Sequence, residues 1–323
     1  MRAVEVAEPG GREVLALVER HEPSVGPGDV LVRVRLAGVN FMDVHMRSGA
    51  MPTPLPLVLG VEGVGTVEAL GEGVANLHVG QRVAYPFATR SGSYAELHAV
   101  PAALLVEVPD DFQDEQAVAV MLQGLTAHAL AFSVSALEAG SVVLVHSAAG
   151  GVGALVVQLL ARQSRRVIGA VFRVEKVPVA EAAGADEVLV YDDGWPKRVR
   201  ELTGGKGVDL ILDAVGEATF DGDLVTAAPL GKVALYGSAS GAVPLVDPMR
   251  LLIAGSLSFS QLTVQHYIAI RELLECRTGE LFKWLVDGSL KVRVQEILPL
   301  DRAADAHRLM EERRTVEKLL LAP

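Results

Sequence analysis

The first 110 residues contain short apolar runs that are broken by glycine and proline. Residues 30–36, with the sequence VLVRVRL, alternate apolar and basic side chains. A period of two is typical of a strand with one exposed face. Residues 61–70 are rich in glycine and β-branched side chains, and turn sequences recur at 23–28, 71–73 and 80. The pattern predicts an antiparallel, β-rich module.

From residue 141 onward, apolar runs alternate with helical stretches. Buried strands are predicted at residues 141–145, 166–171, 187–190, 208–213 and 232–236. Helices are predicted between them, at residues 152–163, 174–183, 195–203 and 217–228. This order predicts an α/β fold with a doubly wound parallel sheet covered on both faces, which a strand at 257–260 could complete.

The last sixty residues return to a mixed pattern. Residues 264–276 are amphipathic, residues 301–312 carry a charged face, and the chain closes on an apolar strand at 318–321. A returning segment of this kind could rejoin the N-terminal module, which would make the α/β part an insertion. We therefore expect one domain from residues 1–122 and 264–323, and a second from residues 123–263.

Composition narrows the class of protein. Half of the 323 residues are apolar, which excludes a disordered chain, and the net charge of −11 argues against a nucleic-acid partner. The single cysteine excludes an internal disulfide framework and a zinc site with two cysteine ligands from one chain. No signal peptide is visible, and uncharged stretches at 116–137 and 141–161 are interpreted as core elements rather than membrane spans. We expect a cytoplasmic protein.

The strongest motif is SVVLVHSAAGGVG at residues 141–153, directly before a predicted helix. Ala148, Gly150 and Gly153 occupy the three positions of a dinucleotide fingerprint, with alanine in place of the first glycine. Small residues permit a tight turn and close packing, and the helix N-terminus offers amides to a pyrophosphate. A glycine-rich turn without a ligand is the alternative.

The ribose end of such a site lies at the end of the second strand, near residues 171–173. An NAD-specific site usually carries an acidic residue there, and this sequence has none. Arg173 and Lys176 follow, a basic pair that suits the 2′-phosphate of NADPH, although Glu175 lies between them. A solvated helix face is the alternative.

No tyrosine is followed by lysine four residues later, which disfavours a short-chain dehydrogenase. The chain resembles the medium-chain dehydrogenase/reductase superfamily and, within it, the zinc-independent quinone oxidoreductase (ζ-crystallin-like) family. The motifs that carry the resemblance are Ala37–Asp43, Arg47–Gly49, Leu59–Gly65, Leu122–Ala127, Ala148–Gly153, Ala183–Ala185, Asp213–Gly216 and Lys318–Pro323.

The resemblance implies a Rossmann domain inserted in a GroES-like catalytic and substrate domain, with NADPH as the cofactor and a homodimer as the assembly. Asn40 stands where zinc-dependent members have a cysteine ligand, and Val61 where they have a histidine, so no metal is expected. The implied cofactor-binding residues are Asn40, Thr126, Gly150, Gly151, Val152, Gly153, Arg173, Lys176, Tyr191, Val215, Tyr236, Gly237 and Lys318.

Two residues are candidates for catalysis. Asn40 would orient the nicotinamide, and His45, where several bacterial members of the family have tyrosine, could donate a proton. Asn40 could instead be a turn residue and His45 a pocket or surface histidine, in which case solvent supplies the proton. Asp43 is expected to be structural, Glu62 to form a buried charge pair, and His146 to be a paired core histidine.

The expected activity is NADPH-dependent, zinc-independent reduction of a quinone or another conjugated carbonyl in the cleft between the domains. An NADPH-dependent enoyl or 2-alkenal reductase is the first alternative. A non-catalytic NADPH-binding protein with a regulatory or RNA-binding role is the second.

Overall fold

The computed structural model describes residues 1–88, 92–316 and 318–323. The chain divides into two compact units, Met1–Leu125 with Tyr267–Pro323, and Thr126–His266. The expected boundaries, after residues 122 and 263, lie slightly before these. The first boundary falls inside a continuous helix, Leu122–Phe132, so no break in the sequence marks it. The roles expected for the two domains stay predictions.

The strands and helices are numbered in chain order. The strands are β1 (Arg2–Val6), β2 (Ala16–Glu19), β3 (Asp29–Val39), β4 (Leu57–Val58), β5 (Gly63–Leu70), β6 (Arg82–Tyr85), β7 (Leu97–Pro101), β8 (Val106–Glu107), β9 (Val142–His146), β10 (Arg166–Val171), β11 (Glu187–Val190), β12 (Val208–Asp213), β13 (Ala227–Leu235), β14 (Ser258–Gln261), β15 (Val294–Pro299) and β16 (Lys318–Ala322). The α-helices are α1 (Phe41–Ser48), α2 (Asp114–Val120), α3 (Leu122–Phe132), α4 (Gly151–Arg162), α5 (Val177–Ala182), α6 (Trp195–Leu202), α7 (Glu217–Thr226), α8 (Pro248–Ile253), α9 (Val264–Tyr267), α10 (Arg271–Val286) and α11 (Ala303–Glu311). Short 3-10 turns occur at Arg12–Val14, Ala102–Leu104, Val174–Lys176 and Leu300–Arg302.

The first unit is built on a seven-stranded sheet in the order β15-β16-β3-β5-β6-β8, with β7 also paired to β3. β3 is the longest strand and pairs antiparallel with β5, β7 and β16. Its inward valines pack with Val67, Val83 and Tyr85 in a buried cluster. Because β16 pairs with the end of β3, Leu319 opposite Val39, the chain end returns to the N-terminal sheet. The α/β part is therefore an insertion, as expected.

The second unit contains a six-stranded parallel sheet in the order β11-β10-β9-β12-β13-β14. The chain starts at β9, builds β10 and β11 on one side, and then continues with β12 on the other. That change of direction makes β9 and β12 a topological switch point, where the carboxyl ends of parallel strands form a ligand site in such sheets. The predicted doubly wound sheet is confirmed.

Two predicted helices are divided differently in the structure. The segment 174–183 begins as a 3-10 turn, Val174–Lys176, and continues as α5. The amphipathic segment 264–276 is not one helix, because Ile270 has an extended backbone and α10 begins after it at Arg271. Hydrophobic periodicity does not detect such a local change of backbone angle.

Candidate functional site

The loop between β9 and α4 has the geometry of an anion-binding turn. Ser147 begins it with a left-handed φ of 55°, and its carbonyl oxygen accepts a hydrogen bond of 2.8 Å from the Gly150 amide. Gly150 precedes α4, and no described side chain caps the first turn of that helix. Gly151, Val152 and Gly153 form this first turn. Its amides and the helix dipole provide partial positive charge for a phosphate group.

The backbone around Gly153 leaves no space for a side chain. A Cβ atom on Gly153 would lie 2.1 Å from the carbonyl oxygen of Ser147, whereas one on Gly150 would lie 3.2 Å from the same atom. Ala148, in the place of the first fingerprint glycine, is fully buried, and its amide bonds to Ala170 at the end of β10. The close packing expected of the third glycine is therefore present.

Two basic residues lie just beyond the end of β10. Arg173 is exposed and Lys176 is half-buried, and the Lys176 amide donates to the Arg173 carbonyl at 3.0 Å across a 3-10 turn. Glu175, between them, is also exposed. One turn thus carries two cationic side chains at the position where the ribose of a dinucleotide would lie.

Tyr191 follows β11, and its hydroxyl is hydrogen-bonded to Nδ1 of His146, the last residue of β9. Nε2 of His146 is 2.7 Å from the Asp223 carboxylate on α7. His146 and Asp223 are both fully buried. His146 is therefore a core histidine with both nitrogens paired, as expected from the sequence.

The charges of this group are controlled by burial. Burial raises the pKa of Asp223 to about 7, although His146 opposes the rise. Burial lowers the tendency of His146 to ionise, but the charge of Asp223 and its hydrogen bond outweigh this and raise the His146 pKa. Burial also raises the pKa of Tyr191 far above its usual value, so its hydroxyl stays neutral. Sequence reasoning missed Asp223, because nothing in its helical surroundings distinguishes it from a surface aspartate.

A second turn at the same sheet edge is held by Asp213, the last residue of β12. Its carboxylate accepts hydrogen bonds from the amides of Val215 at 2.6 Å and Gly216 at 3.2 Å. The Tyr236 amide donates to the Asp213 carbonyl at 2.8 Å, and a Cβ on Gly237 would lie 2.7 Å from the Ala214 carbonyl oxygen. The buried hydroxyl of Tyr236 has no hydrogen-bond partner among the described residues. Val215, Tyr236 and Gly237 are thus together, while Thr126 is buried on α3.

In the first unit, the amide side chain of Asn40 is fixed at both ends. Its Nδ2 donates to Glu62 Oε1 at 2.7 Å, and its Oδ1 accepts from Lys318 Nζ at 3.0 Å. Lys318 also forms an ion pair with Glu62, and both side chains are buried. The other Glu62 oxygen accepts from the Leu122 amide at 2.7 Å. This confirms the expected charge pair of Glu62 and identifies Lys318 as its partner.

Asp43 fixes the same residue through the backbone. The Asn40 amide donates to Asp43 Oδ2 at 2.8 Å in a capping box that begins α1. Burial raises the pKa of Asp43 to about 7 against the opposing effect of this hydrogen bond. Tyr94 also donates to Asp43, at 3.2 Å, and faces the buried His307. Tyr94 and His307 carry no sequence signal, because they lie in other parts of the chain.

His45 lies one turn along α1 and is half-buried, with its ring 5.6 Å from that of Phe41. Burial lowers the pKa of His45, so the neutral imidazole predominates at pH 7. Among the described residues, no three histidine, cysteine, aspartate or glutamate side chains are grouped so that they could hold a metal ion. None of the helices that the structure describes is long and apolar enough to cross a membrane.

Comparisons with known proteins agree with this architecture. The alcohol dehydrogenase GroES-like domain matches residues 26–110, and the zinc-binding dehydrogenase domain matches residues 151–278. A quinone oxidoreductase of Pseudomonas aeruginosa is 38% identical over 100% of this chain and 99% of its own. A 2-haloacrylate reductase of a Burkholderia species is 34% identical over 99% of this chain and 98% of its own. The crystal structure of Escherichia coli quinone oxidoreductase complexed with NADPH is 34% identical, has a TM-score of 0.97, and is matched over 100% of both chains.

A GroES-like β module interrupted by a parallel dinucleotide-type sheet defines a medium-chain dehydrogenase/reductase, an oxidoreductase. With relatives this similar over the full length, the chain belongs to the quinone oxidoreductase family of that superfamily.

Proposed function

We propose that this chain reduces quinones or related conjugated carbonyls with NADPH, by direct hydride transfer and without a metal ion. The observation that carries the proposal is the full-length match to a quinone oxidoreductase solved with NADPH. This chain's own residues fit such a cofactor, because the α4 turn is shaped for a phosphate and the turn after β10 carries two cations. Bound NADPH would supply the hydride.

Each part of the dinucleotide has a place in the proposed site. The amides of Gly150, Gly151, Val152 and Gly153 would bind the pyrophosphate, and Arg173 and Lys176 the 2′-phosphate. Thr126, Val215, Tyr236 and Gly237 would contact the nicotinamide half. Tyr191 would border the 2′-phosphate with its ring, since His146 already occupies its hydroxyl.

Asn40 would orient the nicotinamide through a carboxamide whose orientation is fixed. Glu62 takes one Nδ2 hydrogen at 2.7 Å, and Lys318 takes one lone pair of Oδ1 at 3.0 Å. One lone pair of Oδ1 is left to accept a hydrogen bond from a ligand amide. Lys318 is buried, so we assign it to holding Asn40 rather than to the direct contact with the coenzyme that the resemblance implies.

A dedicated acid is not required for a quinone. A quinone is already electrophilic, and its reduced oxygen can take a proton from water. His45 remains the candidate donor, but burial lowers the pKa of His45, so little of the protonated imidazolium that could donate is present at neutral pH. We therefore propose solvent as the main proton source.

A second activity, reduction of a carbon–carbon double bond, is favoured by one relative. The Burkholderia protein is named a 2-haloacrylate reductase, and 2-haloacrylate has a carbon–carbon double bond conjugated to a carboxylate. The same coenzyme site would serve an enoyl or 2-alkenal substrate. The two activities differ in the acceptor, not in the residues proposed above.

The loss of NADPH absorbance in the presence of different acceptors tests these proposals. We expect a small ortho-quinone to accelerate NADPH loss, with a 2-alkenal less effective and NADH a poorer donor than NADPH. Faster turnover of the 2-alkenal would assign the second activity. Tight NADPH binding without turnover of any acceptor would contradict both and favour a non-catalytic coenzyme-binding protein.

We propose a cytoplasmic homodimer that acts on small molecules and has no nucleic-acid partner. The net charge of −11 supports the last point. β14 ends the sheet of the second unit, and an unpaired strand edge invites pairing with a second copy. Leu245, Met249 and Ile253, which precede this strand, are exposed apolar residues that such a contact would cover.

A further inference from the structure

The buried group of His146, Asp223 and Tyr191 has no part in hydride chemistry, but its three side chains are joined by hydrogen bonds. The rings of His146 and Tyr191 are inclined by only 3°, with the hydroxyl bonded to Nδ1. Trp195 stands edge-on against both, at 5.3 Å from His146 and 5.8 Å from Tyr191. Hydrogen bonds and packing together leave the Tyr191 ring a single orientation.

The hydrogen bonds also link Asp223 to Tyr191 through His146. Nε2 of His146 lies 2.7 Å from the Asp223 carboxylate. When the Asp223 carboxylate holds this proton on Nε2, Nδ1 of the neutral imidazole is an acceptor, and the Tyr191 hydroxyl is its donor. In that tautomer Asp223 acts on Tyr191 through His146, although it does not touch Tyr191 itself.

Tyr191 in turn supports the turn that carries the basic pair. Its amide donates to the Val171 carbonyl at 3.0 Å, and its ring packs against Phe172 at 4.5 Å. Phe172 is followed directly by Arg173, which precedes the 3-10 turn ending at Lys176. A continuous set of contacts thus leads from a buried carboxylate to the basic residues of the proposed 2′-phosphate site.

We propose that His146 and Asp223 are positioning residues for coenzyme selectivity, which hold the Tyr191 ring and through it the turn of Arg173 and Lys176. This inference rests on the proposed function, since it concerns the 2′-phosphate that distinguishes NADPH from NADH. Neither residue is proposed to touch the coenzyme. Their removal should weaken NADPH binding and leave NADH binding almost unchanged.

Calorimetric titration with NADPH and with NADH tests the proposal. Tyr191→Phe keeps the ring and removes the hydroxyl, with its hydrogen bonds to His146 and to the Ser147 backbone, and we expect the Kd for NADPH to rise about three- to tenfold. Asp223→Ala should raise it by a similar factor. Asp223→Asn retains an acceptor for Nε2 and should remain within about twofold of the wild type.

The double variant Tyr191→Phe/Asp223→Ala separates positioning from independent contacts. If both residues act through one chain of contacts, the Kd of the double variant for NADPH should be no higher than that of the single variant with the higher Kd. The proposal would be overturned if the fold-increases in Kd of the two single variants multiplied in the double variant. An unchanged NADPH Kd in Asp223→Ala would also overturn it. Equal losses for NADPH and NADH would also overturn it, because they indicate general damage to the fold.

A matched control comes from the other unit. Tyr85 bonds through its hydroxyl to Nδ1 of the buried His98 at 2.9 Å, so Tyr85→Phe removes a similar buried hydrogen bond. In this variant, the ratio of the Kd for NADH to the Kd for NADPH should stay at the wild-type value. A change of that ratio equal to the change in Tyr191→Phe would overturn the proposal.

A readout without coenzyme separates this inference from the proposed function. Trp195 fluorescence, isolated by Trp284→Phe, should change in Asp223→Ala and remain near the wild type in Asp223→Asn, because Trp195 contacts both rings. No change in Asp223→Ala would overturn the positioning chain. A wild-type protein that binds NADH as tightly as NADPH would instead overturn the proposed coenzyme, whatever the fluorescence shows.

Discussion

At the scale of single residues, the first unit concentrates its buried charge around Asn40. Glu62 and Lys318 hold its side chain, and Asp43 holds its backbone. A buried ion pair contributes to stability only when its remaining lone pairs and protons are bonded, and here the Leu122 amide bonds the second Glu62 oxygen. The cluster therefore fixes one amide in place at a polar site that is otherwise costly to bury.

Asp43 is expected to make stability depend on pH. Its folded-state pKa is about 7, against an ordinary value of 3.8, chiefly because it is buried. The folded chain thus binds this proton more tightly, and the stability that it contributes is lost as the pH rises from about 4 to about 7. Asp43→Asn removes this contribution and keeps an acceptor for the Asn40 amide.

We expect the free energy of unfolding of Asp43→Asn, relative to the wild type, to rise over that range by a few kcal/mol, at roughly 1.4 kcal/mol per pKa unit. Urea unfolding at a series of pH values measures it. Glu96→Gln is a control for which the pH dependence of this difference should have the opposite sign, because hydrogen bonds from Arg2 lower the Glu96 pKa. A difference between Asp43→Asn and the wild type that does not vary with pH would contradict the prediction.

The sequence could identify Asn40, Glu62 and Asp43 as a group only through a resemblance. Glu62 Oε1 is bonded to Lys318, which is 256 positions away in the sequence. A separation of that size is bridged by the pairing of β16 with β3, which no local pattern encodes. Tyr94 and His307 were missed for the same reason. Their role depends on contacts with residues that are distant in the sequence.

At the scale of elements, periodicity predicted the alternating strands and helices of the second unit well. Buried parallel strands appear as largely apolar runs, as β9 and β10 do, whereas β12 also carries the exposed Asp209 and the buried Asp213. The failures lie where backbone angles change within an amphipathic pattern, as at Ile270 before α10. Glycine positions were the most informative, since the spacing around α4 predicted both a close approach and a helix terminus.

The turn before α4 makes a prediction at this scale. Gly153→Ala would place a Cβ 2.1 Å from the Ser147 carbonyl oxygen, whereas Gly150→Ala would place it at 3.2 Å. We expect Gly153→Ala to lower the free energy of unfolding by about 1–3 kcal/mol, as in other overpacked sites, and to weaken NADPH binding. Gly150→Ala is the milder comparison.

Urea unfolding and NADPH titration of both variants measure these effects. The order of the two variants matters more than either value, because the contact at Gly153 is with backbone and cannot be relieved by rotating a side chain. Equal stability of Gly153→Ala and the wild type would show that the helix can shift without cost.

At the scale of the whole molecule, two compact units carry different chemistry. The first holds a fixed carboxamide in a buried charged cluster, and the second holds a phosphate-type turn and a basic pair. The returning chain end was predictable from the mixed pattern after residue 264, and the structure confirms the insertion. The acceptor was not predictable, because relatives with similar full-length matches carry different substrate names.

The central claim is that this chain transfers a hydride from NADPH to an acceptor. Its most direct test is a single turnover of NADPH deuterated at one or the other C4 position of the nicotinamide, with excess protein and an ortho-quinone. We expect slower loss of coenzyme absorbance for one deuterated form only, since a fixed site exposes one face of the nicotinamide. Coenzyme that binds but is oxidised no faster than without the protein would contradict it.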